Sequence, residues 1–407
     1  MSSSPPDAPG SAEASGRPRV LYVQYTNPAL YPPLLHSIRL LADAGCDVRL
    51  VGIDTMARDL ATPFPAGVTA RLLPAEAPGW RQKVSYARFA RATMREARAF
   101  RPHWIYASDA LSTPAVKLVV PGARSGLVYH EHDAPVEAWQ PHTASWFMRR
   151  VMSARRDVAR RADLCVLPNA ARAESFRETT GRADVTVVWN CPRREEAASE
   201  PRRAASRRTR VLFHGSIVPA RLPLSVVDAL TLVPPDVDLV FVGYETLGHP
   251  GYVRAVLDHA RARGVEARVK YAGVLSRSGL LDLGSTADVG LALLPTSSTD
   301  SNEAHMAGAS NKVFEYLARG LPVLVADTAE WRDSFVAAGV ARACRPESAE
   351  SIAAALGAFL RDPDERRAMG ERGRRRVLAD WNYETQFEPV LQAMIGDHGR
   401  VRARATG

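Results

Sequence analysis

The segment AGASNKVFEYLARGLPVLVAD, residues 307–327, combines a serine, a lysine and a glutamate at helical spacing. Ser310 is suited to cap a helix that contains Lys312 and Glu315, and Gly320 predicts where that helix ends. The free N–H groups of a helix N-terminus bind anions such as phosphate, and Lys312 adds a full positive charge there. Glu315 shares this helix face, so its carboxylate can accept hydrogen bonds from two hydroxyl groups one turn further on.

This helix and its flanking strands have the layout that the phosphates and ribose of a nucleotide need. The apolar runs VGLALLP and LPVLVAD predict buried parallel strands on either side. Ligands of such sheets bind outside the carboxyl ends of the strands, where the helix would begin. A competing interpretation is that Lys312, Glu315 and Arg319 form a solvated charged stripe, and the spacing alone fits both interpretations.

A second group of ionisable residues follows the apolar run GLVY at residues 126–129. His130, Glu131, His132 and Asp133 are expected at the carboxyl end of a strand, which predicts that they line a working cleft. Metal binding is the competing interpretation. On an extended chain His130 and His132 point to opposite faces, so we expect that they do not both reach one ion.

The predicted helix over residues 146–162 is rich in arginine. A solvated face is the simplest interpretation of this pattern. The alternative is attraction to an anionic membrane or to a lipid-linked acceptor, which contributes about 1 kcal/mol per basic residue near such a surface. The arginines of this helix are Arg149, Arg150, Arg155, Arg156, Arg160 and Arg161.

Alternating strand and helix patterns divide the chain into two α/β halves on either side of a charged segment that lacks apolar periodicity. The first half opens with a βαβ pattern, with strands at residues 19–25 and 47–53, and the second restarts with a strand at 210–215. We predict a disordered tail at 1–17, a first domain at 18–191, a linker at 192–208, a second domain at 209–378, a C-terminal helix at 379–396 that packs back on the first domain, and a tail at 397–407.

Composition disfavours several classes of protein. The 407 residues suffice for two domains, no apolar run reaches the roughly 18 residues of a membrane span, and no signal sequence is recognisable, so we expect a cytoplasmic protein. The four cysteines have no paired spacing, which argues against zinc and disulfides. The net charge of +9 comes without a nucleic-acid-binding motif, so no nucleic-acid partner is expected, and the missing GxGxxG disfavours a dehydrogenase.

Four stretches in this order resemble the donor-binding half of a known enzyme family: RVLFHGSIVPARLP, VKYAGVLSRSGLLDLGSTADVGLALLP, SNKVFEYLARGLPVLVAD and a tail that ends in WNYETQ. The family is glycosyltransferase family 4, whose members are retaining enzymes with the GT-B fold. The resemblance covers residues 210–394 well and residues 19–190 more loosely, through the opening strand, YHEHD and the strand ends LPN and WN.

The resemblance implies two Rossmann-like domains whose parallel sheets face each other across a cleft. It also implies transfer of a hexosyl group from a nucleotide sugar, with retention of configuration and without a metal ion or other cofactor. The acceptor would be a glycan, a lipid-linked intermediate or a small molecule, and contact with the inner face of an anionic membrane is compatible with such an acceptor.

Individual residues acquire roles from the same resemblance. Glu315 would accept hydrogen bonds from the ribose, while Arg221 and Lys312 would hold the diphosphate. His132 would reach the donor sugar from the first domain, with Asp133 as its acidic neighbour. The other expected contacts are Gly215, Ser216, Gly308, Ala309, Ser310 and Asn311 on the donor side, and Asn27, Asp133 and His130, the fallback for His132, on the acceptor side.

Two departures from the family pattern concern the sugar end of the site. The family often has a first glutamate eight residues before the second, where this chain has Ala307, and Glu303 lies nearby at a different spacing. A basic residue often follows the glycine of the HG pair, where this chain has Ser216. A catalytically impaired binding protein of the same fold is therefore an alternative, and a nucleotide-sugar epimerase of similar fold is another.

Overall fold

The structure is a computed structural model that describes residues 17–28, 31–54, 63–76, 79–120, 125–138, 140–197, 208–246 and 248–396. Residues 1–16 and 397–407, for which the sequence predicts disordered tails, lie outside the described residues. The same holds for residues 198–207, which make up most of the predicted linker.

Seven parallel strands form the sheet of the first domain. Its central strand β1 (Arg19–Gln24) pairs in register on both sides, with Val20 opposite Val48 and also opposite Trp104. The other strands are β2 (Asp47–Asp54), β3 (Thr69–Pro74), β4 (Trp104–Ser108), β5 (Gly126–His130), β6 (Leu164–Leu167) and β7 (Thr186–Val187), in the order β3-β2-β1-β4-β5-β6-β7. Helices cover both faces of such a sheet, so its inner strands are apolar throughout.

The helices of the first domain begin where local signals favour them. Ser145 and Asn169 cap two of these helices by accepting hydrogen bonds from the backbone N–H groups of Met148 and Arg172. Pro32 opens another, at a position where its missing N–H group costs nothing. The helices are α1 (Pro32–Asp43), α2 (Trp80–Phe100), α3 (Thr113–Val119), α4 (Trp146–Arg161) and α5 (Ala170–Thr180).

The second domain has a six-stranded parallel sheet. Its strands are β8 (Thr209–Ile217), β9 (Val237–Glu245), β10 (Val269–Tyr271), β11 (Val289–Ala292), β12 (Val323–Ala326) and β13 (Ala341–Cys344), in the order β10-β9-β8-β11-β12-β13. Strands β9 and β10 follow β8 on one side of it, and β11, β12 and β13 follow on the other side, so the strand order changes direction between the adjacent strands β8 and β11. A crevice at the carboxyl ends of these two strands is the expected ligand site of such a sheet.

Eight helices flank this second sheet in the described part of the chain. They are α6 (Ser225–Leu230), α7 (Tyr252–Ala262), α8 (Arg277–Gly284), α9 (Ser301–Ala304), α10 (Asn311–Ala318), α11 (Ala329–Trp331), α12 (Ala349–Arg361) and α13 (Pro363–Ala379). A last helix, α14 (Tyr383–Gly396), places Phe387 in the apolar cluster of the first domain that also contains Val20. The indole N–H of Trp104 donates to the carbonyl oxygen of Met394 at 2.8 Å.

The predicted α/β architecture of two domains with parallel sheets is confirmed. Several short elements were not predicted, among them β3, β13, α3 and α5. Strand β3 lies at the sheet edge with most of its side chains partly exposed, so its sequence TARLLP lacks the apolar run of a central strand. Helix α5 carries charged and polar residues all round and therefore shows no apolar stripe.

Candidate active site

The loop before α10 and the segment after β8 meet at the crevice of the second sheet. The loop follows β11, Arg221 follows β8, and these two strands are neighbours. Ser310 precedes α10 with extended backbone dihedral angles, but its side chain accepts no hydrogen bond from the helix. The predicted side-chain cap is therefore wrong, although the helix begins and ends where the sequence indicated.

Glu315 lies one turn into α10 with its side chain buried between two partners. Only 7% of the side chain is exposed. One carboxylate oxygen accepts a hydrogen bond from the Arg277 guanidinium, and the other lies 3.3 Å from Nε2 of His214. Burial alone would raise its pKa, but the Arg277 guanidinium group, which is charged and hydrogen-bonded to it, holds the pKa of Glu315 below its usual value. Glu315 is thus an ionised, oriented hydrogen-bond acceptor, and the solvated-stripe interpretation is wrong for this residue.

Lys312 and Arg221 bring two positive charges together beside Gly215. An added Cβ at Gly215, whose φ is +114°, would lie 2.6 Å from Cε of Lys312, so a glycine is needed for the lysine to lie against the strand end. Arg221 donates a hydrogen bond to Oγ of Ser216 at 2.6 Å. Arg221, Lys312 and Ser310 line one cleft.

The two cations repel each other in this half-buried cleft. Burial and then the charge of Arg221 lower the pKa of Lys312 to about 7, against the weaker opposing effect of Glu315. An anion between them would relieve the repulsion and restore the full charge of the lysine. The cleft is therefore suited to a diphosphate.

The affinity for a nucleotide sugar is expected to fall as the pH rises above the Lys312 pKa of about 7. Below that pH the lysine is already charged, so the affinity should be constant. Above it, binding must take up a proton, and the affinity should weaken by up to about tenfold per pH unit. Calorimetric titration with a nucleotide sugar that the protein binds, across neutral pH, measures this. Lys312→Arg stays charged and should flatten the profile, and an unchanged profile in that variant would contradict the assignment.

The first domain holds the loop before α10 through three polar side chains. Asn169 donates to the carbonyl oxygen of Ala307 at 2.7 Å, and Asn190 donates to that of Ala309 at 2.8 Å. Arg172 donates to two further carbonyl groups of the same loop. None of these three residues was assigned a role from the sequence, although the strand ends LPN and WN, which contain the two asparagines, contribute to the family resemblance.

Gly308 allows this close approach of the two domains. Its φ is +79°, and an added Cβ would lie 2.7 Å from Cδ1 of Trp189. Its carbonyl oxygen accepts from the backbone N–H of Asn190 at 2.7 Å. The N–H groups of Ala309 and Ser310 both donate to the carbonyl of Met306, so these two amides are engaged within the loop. These two N–H groups are therefore not directed at the cleft that Arg221 and Lys312 line.

His130 and His132 lie together at the carboxyl end of β5. Their ring centroids are 3.7 Å apart, so the expectation that they point to opposite faces is wrong. The strand ends at His130, and the chain bends after it. Burial lowers the pKa of His132 to about 3, which keeps its ring neutral. Among the described residues, no group of three or more His, Cys, Asp or Glu side chains is arranged to hold a metal ion.

The remaining acceptor-side candidates differ in exposure. Asp133 has a side chain that is 62% exposed and pairs at 3.0 Å with Arg172, which also donates to the carbonyl oxygen of His132. The same arginine therefore connects this group to the loop before α10. Asn27 is buried in the loop after β1, where its amide group donates to Asp54 at 3.3 Å.

Glu131 does not line the cleft. Arg155 of α4 binds its two carboxylate oxygens at 2.5 and 2.7 Å, and the Tyr129 hydroxyl donates to the same group. Both charged side chains are almost fully buried, so the prediction that Arg155 lies on a solvated face is wrong: it neutralises a buried carboxylate. The other arginines of α4 are exposed, namely Arg149, Arg150, Arg156, Arg160 and Arg161.

Known protein families match the chain in two consecutive parts. Residues 34–192 match the model of the glycosyl transferase 4-like domain, and residues 225–392 match that of a glycosyl transferase-like domain. Each model falls on one of the two sheets with its helices. No curated protein sequence is similar enough to match.

Solved structures of glycosyltransferases share the fold of both domains. Sucrose-phosphate synthase from Thermosynechococcus elongatus has a TM-score of 0.69 at 17% identity, over 95% of this chain and 99% of that one. Anabaena HepE in complex with UDP-glucose has a TM-score of 0.69 at 16% identity, over 93% and 99%. A glycosyltransferase from Rickettsia africae has a TM-score of 0.70 at 11% identity, over 93% and 99%. With a family match over each domain and this shared architecture, the chain belongs to the glycosyltransferases of GT-B fold.

Proposed function

We propose that this glycosyltransferase moves a sugar from a nucleotide-sugar donor to an acceptor with retention of anomeric configuration. The observation that carries the proposal is that Lys312, at the crevice of the second sheet, interacts electrostatically with both Arg221 and Glu315. Glu315 accepts hydrogen bonds from the ribose hydroxyl groups. Arg221 and Lys312 bind the diphosphate and stabilise the negative charge that grows on it as the sugar departs.

The first domain contributes the other side of the reacting centre. His132 is neutral and contacts the donor sugar, with His130 behind it and Asp133 at the open side of the cleft. The acceptor enters from this side. We propose that no divalent cation takes part, because Arg221 and Lys312 supply positive charge where a metal ion would otherwise act. Chelation with EDTA is then expected to leave the transfer rate unchanged.

Ala307 in place of the family's first glutamate makes a binding protein without activity the main alternative. Its side chain is 3% exposed, and its carbonyl oxygen is bound by Asn169. The loop is thus held by contacts of its backbone, which do not require a glutamate at this position. Turnover of the donor distinguishes an active transferase from a binding protein, and a nucleotide-sugar epimerase would be recognised because it converts the donor without any acceptor.

Ligand binding and turnover together test the proposal. UDP, GDP and ADP are added in a thermal-shift screen, with UDP first because HepE structures contain UDP and UDP-glucose. A diphosphate at 100 times its Kd should stabilise the protein by about 2.7 kcal/mol. The matching nucleotide sugars are then assayed for release of the diphosphate with and without acceptor extracts. No stabilisation by any of the three would overturn the proposal, and binding without turnover would favour the binding protein.

We also propose that the first domain docks on the anionic cytoplasmic face of a membrane. Trp80 and Trp146, at the N-termini of α2 and α4, are 70% and 63% exposed. Arg150 stacks on Trp146 with its guanidinium carbon 4.5 Å from the ring centroid. Tyr86 and Phe147 pack at 5.0 Å, which brings the two helix ends together. Amphipathic aromatic rings beside arginines are typical of the bilayer interface.

Vesicle binding tests this surface. The protein should sediment with phosphatidylglycerol vesicles at low salt and not with phosphatidylcholine vesicles, and the double variant Trp80→Ser, Trp146→Ser should lose the interaction. Leu232→Ser is a matched control, because Leu232 is 55% exposed on the second domain. Equal binding to both lipids, or full binding by the double variant, would contradict the proposal. None of the described helices combines the length and apolar character needed to cross a bilayer, so any contact made by these residues is peripheral.

A further inference from the structure

Arg277, at the start of α8, lies between two carboxylates that belong to different parts of the chain. Its Nε and Nη2 atoms donate to the two oxygens of Glu196 at 3.0 and 2.9 Å. Its Nη1 atom donates to Oε1 of Glu315. The guanidinium group is planar and rigid, so an arginine held by two bonds on one side has its third donor fixed in direction. The position of Glu196 therefore determines how Arg277 meets Glu315.

Glu315 is held from its second oxygen as well. Nε2 of His214 lies 3.3 Å from Oε2 of Glu315, and burial lowers the pKa of His214 to about 4, so this ring is neutral. The neutral imidazole orients the carboxylate without adding a charge. Arg277 thus supplies the positive charge that keeps Glu315 ionised in a buried place. The amide group of Asn311 also donates to Oε1 at 3.5 Å, so Oε2, which faces His214, keeps the capacity to accept from a hydroxyl group.

Glu196 lies outside the donor cleft, in the segment that follows the first domain. Within that segment, Glu195 pairs with Arg39 of α1 at 3.1 Å, and Arg193 pairs with Glu384 of α14 at 3.2 Å. Both partners belong to helices that pack on the first domain. Glu196 itself lies 3.7 Å from Nε2 of His36 in α1, while the next residue, Ala197, packs in the apolar core of the second domain. Glu196 therefore connects the first domain to Arg277 and Glu315 of the second.

We propose that Arg277 is a positioning residue that holds Glu315 for the ribose of the donor, and that Glu196 controls this position from the first domain. Nucleotide affinity in the second domain then depends on how the first domain is placed against it. This inference rests on the proposed function, because it concerns the ribose acceptor of that site. A brace that merely joins the domains would affect stability but would not affect the recognition of ribose.

The test compares the affinities of the protein for UDP and for 2′,3′-dideoxy-UDP, which lacks the two ribose hydroxyl groups that would donate hydrogen bonds to Glu315. If the screen finds that GDP or ADP is the ligand, the corresponding pair of nucleotides is used. Wild-type protein should bind the natural diphosphate about 10- to 100-fold more tightly, the range of a hydrogen bond to a charged group. Arg277→Ala should bring the ratio of the two Kd values close to one, because Glu315 is no longer oriented. Both nucleotides carry the same diphosphate, so the general electrostatic effect of the lost charge changes both Kd values equally and cancels in their ratio.

Three further variants separate a positioning role from a purely structural one. Glu196→Gln, which leaves every residue of the donor cleft in place, should lower the ratio of Kd values by about threefold to tenfold, since a bond to a charge is weakened but not removed. Arg261→Ala removes an arginine from an exposed pair with Asp258 on the same domain, and the ratio should stay at the wild-type value. Arg277→Lys keeps the positive charge but not the planar guanidinium group, which can bind both carboxylates at once. The ratio of Kd values in this variant should therefore fall between those of wild type and Arg277→Ala.

The possible failures can be told apart. If wild-type protein binds a nucleoside diphosphate but does not prefer it over the dideoxy analogue, the ribose role of Glu315 in the proposed function fails. If wild type discriminates and both Arg277→Ala and Glu196→Gln keep the wild-type ratio, the present inference fails while the proposed function stands. Should Arg277→Ala not fold, Glu196→Gln and Arg277→Lys decide the outcome by the same ratio.

Discussion

Replacing Arg221 with alanine is expected to lower the rate of sugar transfer by a factor of about 10² to 10³. The residue places a guanidinium group in the cleft that Lys312 and Ser310 also line. Negative charge grows on the departing diphosphate in the transition state, so a cation held in place beforehand stabilises that state more than the bound substrate. Lys312 alone leaves one positive charge in the cleft where the wild-type protein has two, so it does not replace the lost guanidinium group.

Steady-state kinetics with the donor identified by the binding screen measures this loss in kcat/KM. Arg221→Lys should retain part of the activity, since it keeps the charge but not the hydrogen bond to Ser216. Glu315→Ala should weaken donor binding as well, because the ribose loses its acceptor. Near wild-type rates for both Arg221→Ala and Glu315→Ala, in variants with unchanged circular dichroism, would exclude the proposed site.

Replacing Arg155 with methionine is expected to destabilise the first domain by about 3–5 kcal/mol, the cost of leaving one partner of a buried ion pair. Glu131 would then be an unpaired carboxylate in the core, hydrogen-bonded by Tyr129 alone among its present side-chain partners. Arg155 also stacks on the ring of Phe176, with its guanidinium carbon 5.0 Å from the ring centroid, so its removal loses packing too.

Thermal unfolding followed by circular dichroism measures this effect as a shift of the Tm of the transition assigned to the first domain. Arg156→Met on the same helix is the matched control, because Arg156 is exposed and its replacement should change stability by no more than about 0.5 kcal/mol. The double variant Glu131→Gln, Arg155→Met should be less destabilised than Arg155→Met, since no unpaired charge remains. Equal Tm values for Arg155→Met and Arg156→Met would refute the account of this ion pair.

Several features of the site followed from local patterns. The end of α10 beside Gly320 and the strands that flank it were predicted from turn residues and apolar runs, whose effects act within a few residues of the chain. The place of Arg221 beside Lys312 cannot be read from local patterns, because the two residues are distant in the sequence. It was expected only from the resemblance of the segment to a known family. The structure brings the two segments together because they follow the adjacent parallel strands β8 and β11.

Other features were wrong or missing in the sequence-based predictions because they depend on packing between distant segments. Whether Glu315 faces solvent or a buried partner is decided by Arg277, which is 38 residues away in the chain. His130 and His132 are close because the strand ends between them, a boundary that local propensity places poorly.

The chain order of apolar runs and turn residues was sufficient to specify the α/β class, the division into two halves and the succession of strand, loop, helix and strand around α10. Local hydrogen bonding and hydrophobic periodicity act over a few residues and can be recognised in one dimension. Burial decided the rest: which charges are neutralised inside, as for Arg155 and Glu131, and which side chains of the first domain hold the loop of the second, as for Asn169 and Arg172. Such contacts exist only once both sheets have formed and packed together, because the cost of burying a charge depends on partners that folding brings into reach.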